Sequence, residues 1–179
     1  MQLDLSRFSP VERSTLQLRV LYEGAGYRKF RCSHFEEYSL YQQNERFLSD
    51  SQVITFTDLD GKLRAIKPDV TLSIAKNAQP AAGECKKYYY TEQICRPSRE
   101  SHTFSEISQM GLEFIGGQGG YAEAEAVELA VRSLAAIGPQ SVLDVGHMGF
   151  ITSLLDVLGV REEARAAALD ALRAKNAHT

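Results

Sequence analysis

The feature that most constrains this chain is a pair of β-rich segments joined by a short polar loop. "KKYYYTEQICR" (86–96) is dense in aromatic and branched residues that suit a pleated sheet, and "SEISQMGLEFIG" (105–116) follows it across "PSRESHTF". The two read as antiparallel neighbours. With a period of two, Ser105, Ile107, Gln109, Gly111 and Glu113 share one face of the second segment. Glu106, Ser108, Met110, Leu112 and Phe114 share the other, which ends in three apolar positions and is the core side. A glycine inside a strand costs stability and often marks the close approach of a ligand or another backbone. Gln109 and Glu113 flank Gly111, so this face offers an amide and a negative charge around a gap, which suits a small zwitterion. A solvated outer sheet face would need no such explanation, and the pattern leaves both readings open.

The other elements fall around this pair. "FSPVERSTLQLRVLYEGAG" begins with Ser9 as N-cap, Pro10 at the first helical position and Glu12 completing a capping box. Val11, Leu18, Leu21 and Tyr22 give an approximate helical stripe, closed by Gly24 and Gly26. "YRKFRC" is a short strand, and "FEEYSLYQQNERF" is helix or irregular. "VITFTDLDGKLRAI" is a hairpin with Asp60-Gly61 as a two-residue turn. "KPDVTLSIAKN" reads as a strand end, an Asp69 N-cap and a short helix. After double glycines at 116–117 and 119–120, Val127, Ala130, Val131, Leu134 and Ile137 mark a long helix ended by Gly138-Pro139. "SVLDVG" reads as a strand, "GFITSLLDVLGV" as a helix, and the Ala-rich tail as helical. The order predicts one α+β domain over 1–179, a largely antiparallel sheet flanked by helices.

Composition narrows the chemistry. With 44% hydrophobic and 24% charged residues, the 179-residue chain matches an ordinary globular protein with a real core. A net charge of −3 gives no general reason to expect nucleic-acid binding. Cys32, Cys85 and Cys95 show no C-x-x-C spacing and read as reduced thiols of a cytoplasmic protein. His34, His102, His147 and His178 form no metal-ligand pattern, and His147 reads as a structural residue beside an apolar helix. No run reaches 18 apolar residues, and the N-terminus has no secretory pattern, so no membrane role is expected. No nucleophile stands beside a base, and no glycine-rich phosphate loop precedes a helix. Taken singly, Asp69 and Thr71 are a cap and a helix start. Arg96 is either a bidentate anion ligand or a plain surface residue.

Together these segments resemble the class II aminoacyl-tRNA synthetase catalytic fold, in its histidyl branch. "IKPDVTLSIAK" (66–76) resembles the arginine-proline-acid-x-threonine segment that binds the amino acid's α-amino group. "QICRPSRESHTFSEISQMGLEFIG" (93–116) resembles motif 2, with Arg96 at its arginine and Gln109 and Glu113 in a glutamine-x-glycine-x-glutamate segment. "GYRKFRCSHFEEYSLY" resembles the region around motif 1, which builds the dimer interface, and the likeness runs from about residue 7 to residue 160. It implies a histidine-type pocket of Asp69, Thr71, Arg96, Gln109 and Glu113. Asp69 and Glu113 would face the ligand's ammonium group with Thr71 assisting, Gln109 would recognise a polar group, and Arg96 an anionic one.

The departures point away from adenylate chemistry. Ser98 stands where the family carries an acid, and Ile107 replaces an aromatic residue that stacks on adenine. Ser105 replaces a basic residue, and Lys67 stands in place of an arginine. "EISQMGLEFIG" and "LDVGHMGFITSLLDVLG" are closer to the regulatory subunits of ATP phosphoribosyltransferase, the non-catalytic paralogues of histidine biosynthesis. That resemblance implies a short-form catalytic subunit as partner, a homodimer or hetero-oligomer, and histidine as ligand. It implies no catalytic residue, no metal or other cofactor, and no tRNA. The family runs on beyond this length, so the expected fold lacks its C-terminal strands. The alternative is a divergent or fragmentary histidyl-tRNA synthetase that activates histidine with ATP.

Overall fold

The computed structural model describes residues 7–44, 53–98, 103–117, 119–138 and 140–173. Internal contacts divide the chain into two units, Met1–Ser141 and Val142–Thr179. Parts of the sequence readings fall outside the described residues: the end of "FEEYSLYQQNERF", His102, Pro139 and His178.

In the first unit, α1 (Pro10–Gly24) starts as its sequence dictates. The Ser9 side chain accepts the Glu12 amide, and the Glu12 carboxylate accepts the Ser9 amide at 2.8 Å, which satisfies two otherwise orphaned donors. Leu18 and Tyr22 are buried, with Leu21 beside them. Val11 is 71% exposed, contrary to the expected stripe, because it lies about two turns before Leu18, short of the sheet.

The main sheet has the order β1-β5-β6. β1 (Arg28–Lys29) runs parallel to β5 (Cys85–Pro97), and β5 is antiparallel to β6 (Phe104–Gly116) from Cys85↔Gly116 to Pro97↔Phe104. The expected pairing is therefore present, with one parallel neighbour added. On one face, Met110, Leu112 and Phe114 pack with Leu18, Tyr22, Tyr27, Tyr89 and Leu129, so α1 and α4 (Tyr121–Ile137) cover it. On the other, Tyr90 and Ile94 lie under Val70, Ile74 and Ala78, which brings α3 (Thr71–Ala78) across the strands. The solvated-surface reading thus fails around Gly111 and Glu113, although Ser105 and Ile107 at the far end stay exposed.

A smaller antiparallel sheet has the order β2-β4-β3, with β2 at Phe35–Glu37, β3 at Thr55–Thr57 and β4 at Leu63–Ile66. The β3–β4 hairpin is present, but not its two-residue turn. The Asp58 amide donates to the Lys62 carbonyl and the Gly61 amide to the Asp58 carbonyl, both at 2.9 Å, leaving a three-residue loop. Gly61 sits at φ +79°, the left-handed position such a loop needs at its third residue. Beside β2 lies the short helix α2 (Tyr38–Gln42), which buries Tyr41.

The predicted stripe of α4 is rotated from the observed one. Leu129 is buried, Ala136 packs beside the core, and Ser133 lies 3.0 Å from the Tyr22 hydroxyl, whereas Val127, Val131 and Ile137 are exposed. Two polar contacts set this phase: the Tyr22–Ser133 hydrogen bond and a Lys87–Glu125 ion pair at 2.7 Å. The helix thereby turns a narrow, small-residue face toward the sheet.

The second unit contains α5 (Met148–Val157) and α6 (Glu162–Arg173). His147 is the N-cap of α5, its Nδ1 accepting the Phe150 amide at 3.1 Å, a structural role. Residues 141–147, expected to begin with a strand, are exposed and carry none. A strand exists only through a ladder with a neighbour, and this segment has no partner among the described residues.

The observed phase of α4 predicts unequal losses on truncation. Leu129→Ala costs about 2–5 kcal/mol of unfolding free energy, and Val131→Ala stays within about 0.5 kcal/mol, both read by urea denaturation. Equal losses at the two positions would contradict the packing.

Candidate functional site

The site forms where the start of α3 crosses β5 and β6. The segment 67–70 leaves β4 and runs over the strands before α3 begins. Its Asp69 is 7% exposed. Asp69 lies one residue before the N-cap position, which Val70 occupies, yet its Oδ1 accepts the Leu72 amide at 3.1 Å and so does the capping expected of it. Thr71, the first residue of α3, donates its hydroxyl to Glu113 Oε1 at 2.6 Å. This bond joins helix and strand at the centre of the site.

Burial pushes the Glu113 carboxyl above its ordinary value; the Thr71 hydrogen bond pulls it back, and the nearby Asp69 charge adds to the push. Arg96 sits at the end of β5, opposite Ser105. Its guanidinium is turned inward: Nε donates to the Pro68 carbonyl at 2.9 Å, and a terminal nitrogen lies 3.6 Å from Asp69 Oδ2. With its side chain 42% exposed, it balances one of the two carboxylates and keeps some solvent contact.

Gln109 lies on the same face of β6 as Glu113, opposite Glu92. Its Oε1 is buried and accepts no hydrogen bond. Asp69, Thr71, Arg96 and Glu113 are thus linked through direct contacts and close charges, and Gln109 adds an unsatisfied acceptor further along the strand. Such an acceptor is costly unless something donates to it.

Tyr90 is the participant that the sequence reading missed. It pairs with Gly111 across the strands, and a Cβ at Gly111 would meet the Tyr90 hydroxyl at 2.6 Å and Cζ at 2.7 Å. The gap at Gly111 is therefore filled by a tyrosine ring of this chain, which forms a floor beside the carboxylates. Burial, with Glu113 and Asp69 nearby, pushes the Tyr90 hydroxyl up to about 12, so it stays protonated as a neutral group. Only the strand register could have revealed this contact, since the sequence does not say which of Tyr88, Tyr89 and Tyr90 meets Gly111.

Lys67, which stands in place of the family's arginine, is not part of this cluster. It is fully buried and its Nζ donates to Glu92 Oε2 at 2.5 Å, so it is an internal ion-pair partner. Ile107 is 43% exposed at the open end of the face. Cys32, Cys85 and Cys95 are free, and no group of three potential ligands among the described residues is gathered for a metal ion.

A mostly antiparallel sheet with helices on both faces, and a polar cluster where α3 meets β5 and β6, match the class II aminoacyl-tRNA synthetase catalytic fold. The sequence model of the histidyl-tRNA synthetase family matches residues 2–179, and the chain belongs to that family. Among its relatives, a histidine–tRNA ligase from Methanocaldococcus jannaschii is 29% identical over 154 residues, covering 82% of this chain and 36% of the ligase. An ATP phosphoribosyltransferase regulatory subunit from an Anaeromyxobacter species is 30% identical over 167 residues, covering 89% of this chain and 48% of the relative. The chain therefore spans less than half the length of these curated relatives. An ATP phosphoribosyltransferase regulatory subunit/histidyl-tRNA synthetase from Bacillus halodurans superposes with a TM-score of 0.77 at 20% identity, over 98% of this chain and 50% of the other. The ATP phosphoribosyl transferase complex from Thermotoga maritima gives 0.71 at 19% identity, over 94% and 57%. At these identities the two structures establish the shared fold.

The raised Glu113 value has a direct consequence for stability. The folded chain holds this proton more tightly than the unfolded one, so the group's contribution is full below the ordinary value of 4.5 and is lost as pH rises through the raised value. Glu113→Gln therefore gains stability over the unchanged chain as pH increases past that window, measured by urea denaturation at a series of pH values. A stability difference that does not vary with pH would contradict the assignment.

Proposed function

We propose that this chain is a non-catalytic regulatory subunit of ATP phosphoribosyltransferase. In this reading it binds histidine at the α3–β6 site, assembles with the short-form catalytic subunit in the cytoplasm, and carries histidine feedback on the first step of histidine biosynthesis. The observation that carries the reading is the contrast along a single strand face. Near Gly111, the half-buried Glu113 carboxylate accepts the Thr71 hydroxyl with the Asp69 charge close by, and the unsatisfied Gln109 oxygen lies further along the same strand, a set suited to an ammonium group and a further polar donor. Toward the open end, Ser105 and Ile107 offer neither a cation for phosphate nor a ring for adenine.

The histidine ammonium would sit between Asp69 and Glu113, with Thr71 orienting the latter. Gln109 Oε1 would accept a ligand N–H. Arg96, now held by Pro68 and Asp69, would meet the ligand carboxylate from the exposed side of its guanidinium. The relatives named as regulatory subunits support this assignment, as does the superposition on a chain of the Thermotoga maritima ATP phosphoribosyl transferase complex. A self-associated dimer within the larger assembly belongs to the same proposal.

The second reading is histidine activation by ATP, favoured by the ligase relative and by Arg96 remaining in place. It predicts histidine-dependent ATP–pyrophosphate exchange, and the regulatory reading predicts none. Under the regulatory reading the chain co-purifies with the cognate catalytic subunit and changes its rate. Glu113→Ala weakens histidine binding by about 1.5–3 kcal/mol, roughly ten- to hundredfold, by isothermal titration calorimetry. An unchanged dissociation constant would remove Glu113 from the site, and absence of any complex with the catalytic subunit would end the regulatory assignment.

A further inference from the structure

Lys67 is an unusual residue to find enclosed. Its side chain has no solvent access, and its partner Glu92 is nearly as well covered. The second Glu92 oxygen accepts the Cys32 amide at 3.3 Å. The Lys67 backbone amide donates to the His34 carbonyl, and its own carbonyl accepts the Cys95 amide, each at 3.2 Å. One residue therefore ties together the 30–34 stretch, β5 and the segment that leads into α3.

Stability alone gives little reason for an ion pair here. Withdrawing two charges from water costs about what their attraction returns, and apolar side chains of similar volume usually fill such a space as well. A paired charge differs in that it selects one register, because a displaced lysine leaves two buried charges unmatched.

The register matters at this point of the chain. Asp69 follows Lys67 by two residues and Thr71 by four. On β5, Tyr90, Glu92 and Arg96 share a face, with Glu92 between the tyrosine floor and the arginine. The Arg96 bond to the Pro68 carbonyl continues the same line of attachment. A shift of Lys67 along β5 would withdraw Asp69 from Arg96 and the Thr71 hydroxyl from Glu113.

We propose that the buried Lys67–Glu92 pair is a positioning clamp that holds Asp69 and Thr71 against Glu113, presetting the cluster for an ammonium-bearing ligand without touching that ligand. The ligand part rests on the histidine-site reading above; the clamp itself is a statement about the free chain.

The test uses the full chain carrying Lys67→Met together with Glu92→Leu. Melting temperature, the NMR titration of the labelled Glu113 carboxyl, and histidine affinity are measured side by side. The clamp predicts melting within a few degrees of the unchanged chain, a Glu113 titration moved toward the ordinary carboxylate value as its covering loosens, and at least tenfold weaker histidine binding. A folded double variant with an unmoved Glu113 titration overturns the clamp, whatever histidine does. A moved titration in a chain that never bound histidine upholds the clamp and removes the ligand reading. Glu92→Asp, which keeps the charge and shortens the reach, covers the case of a double variant that fails to fold. The clamp then predicts an intermediate Glu113 shift, and a lowered melting temperature with an unmoved titration overturns it.

Discussion

The hydrogen bond from the Thr71 hydroxyl to the Glu113 carboxylate, 2.6 Å long, ties the first residue of α3 to β6 across two packed layers. A carboxylate withdrawn from water needs donors, and this one receives a hydroxyl placed by the first residue of α3. For Thr71 to arrive there, the segment before it must cross the sheet at one height. Four attachments fix that height: the Lys67–Glu92 ion pair, the Cys95 amide on the Lys67 carbonyl, and the Arg96 contacts to Pro68 and Asp69. The apolar contacts of Val70, Ile74 and Ala78 with Tyr90 and Ile94 supply the bulk of the adhesion, and the polar contacts choose its register.

From that arrangement follows an electrostatic character unlike an ordinary sheet surface. The Glu113 and Asp69 carboxylates lie close enough for the Asp69 charge to raise the Glu113 proton affinity, and the one partly exposed guanidinium reaches Asp69, so the cluster favours a further positive charge. Tyr90 fills the gap at Gly111 with a ring whose hydroxyl stays neutral. The opposite face of the same sheet is apolar and buried under α1 and α4, so chemistry and core are divided between alternate residues of one strand.

Much of this was legible in the residues because it depends on local rules. The capping box at Ser9 and Glu12, the pairing of β5 with β6, and the core role of Met110, Leu112 and Phe114 all follow from spacing alone. What escaped depends on contacts between distant residues. Glycine 111 signalled a close approach, but only the pairing Tyr90↔Gly111 shows that a tyrosine ring makes it. Nothing local to Lys67 shows that it is paired with Glu92, 25 positions away. The phase of α4 was misread because Val127 and Val131 are more apolar than Ala136 and Ser133, yet the Tyr22 and Lys87 contacts select the smaller face. "SVLDVG" has a strand's composition without a strand's neighbour.

The site reading therefore comes down to whether the inner face of β6 beneath α3 receives an amino acid. A histidine titration of the isotopically labelled chain, followed through its backbone and side-chain amide resonances, addresses this directly. The account predicts saturable shifts at Thr71, Gly111, Glu113 and the Gln109 carboxamide, with Leu129 and Ser133 on the opposite side of the sheet unmoved. Shifts absent from those four residues, or spread evenly over both faces, would contradict it.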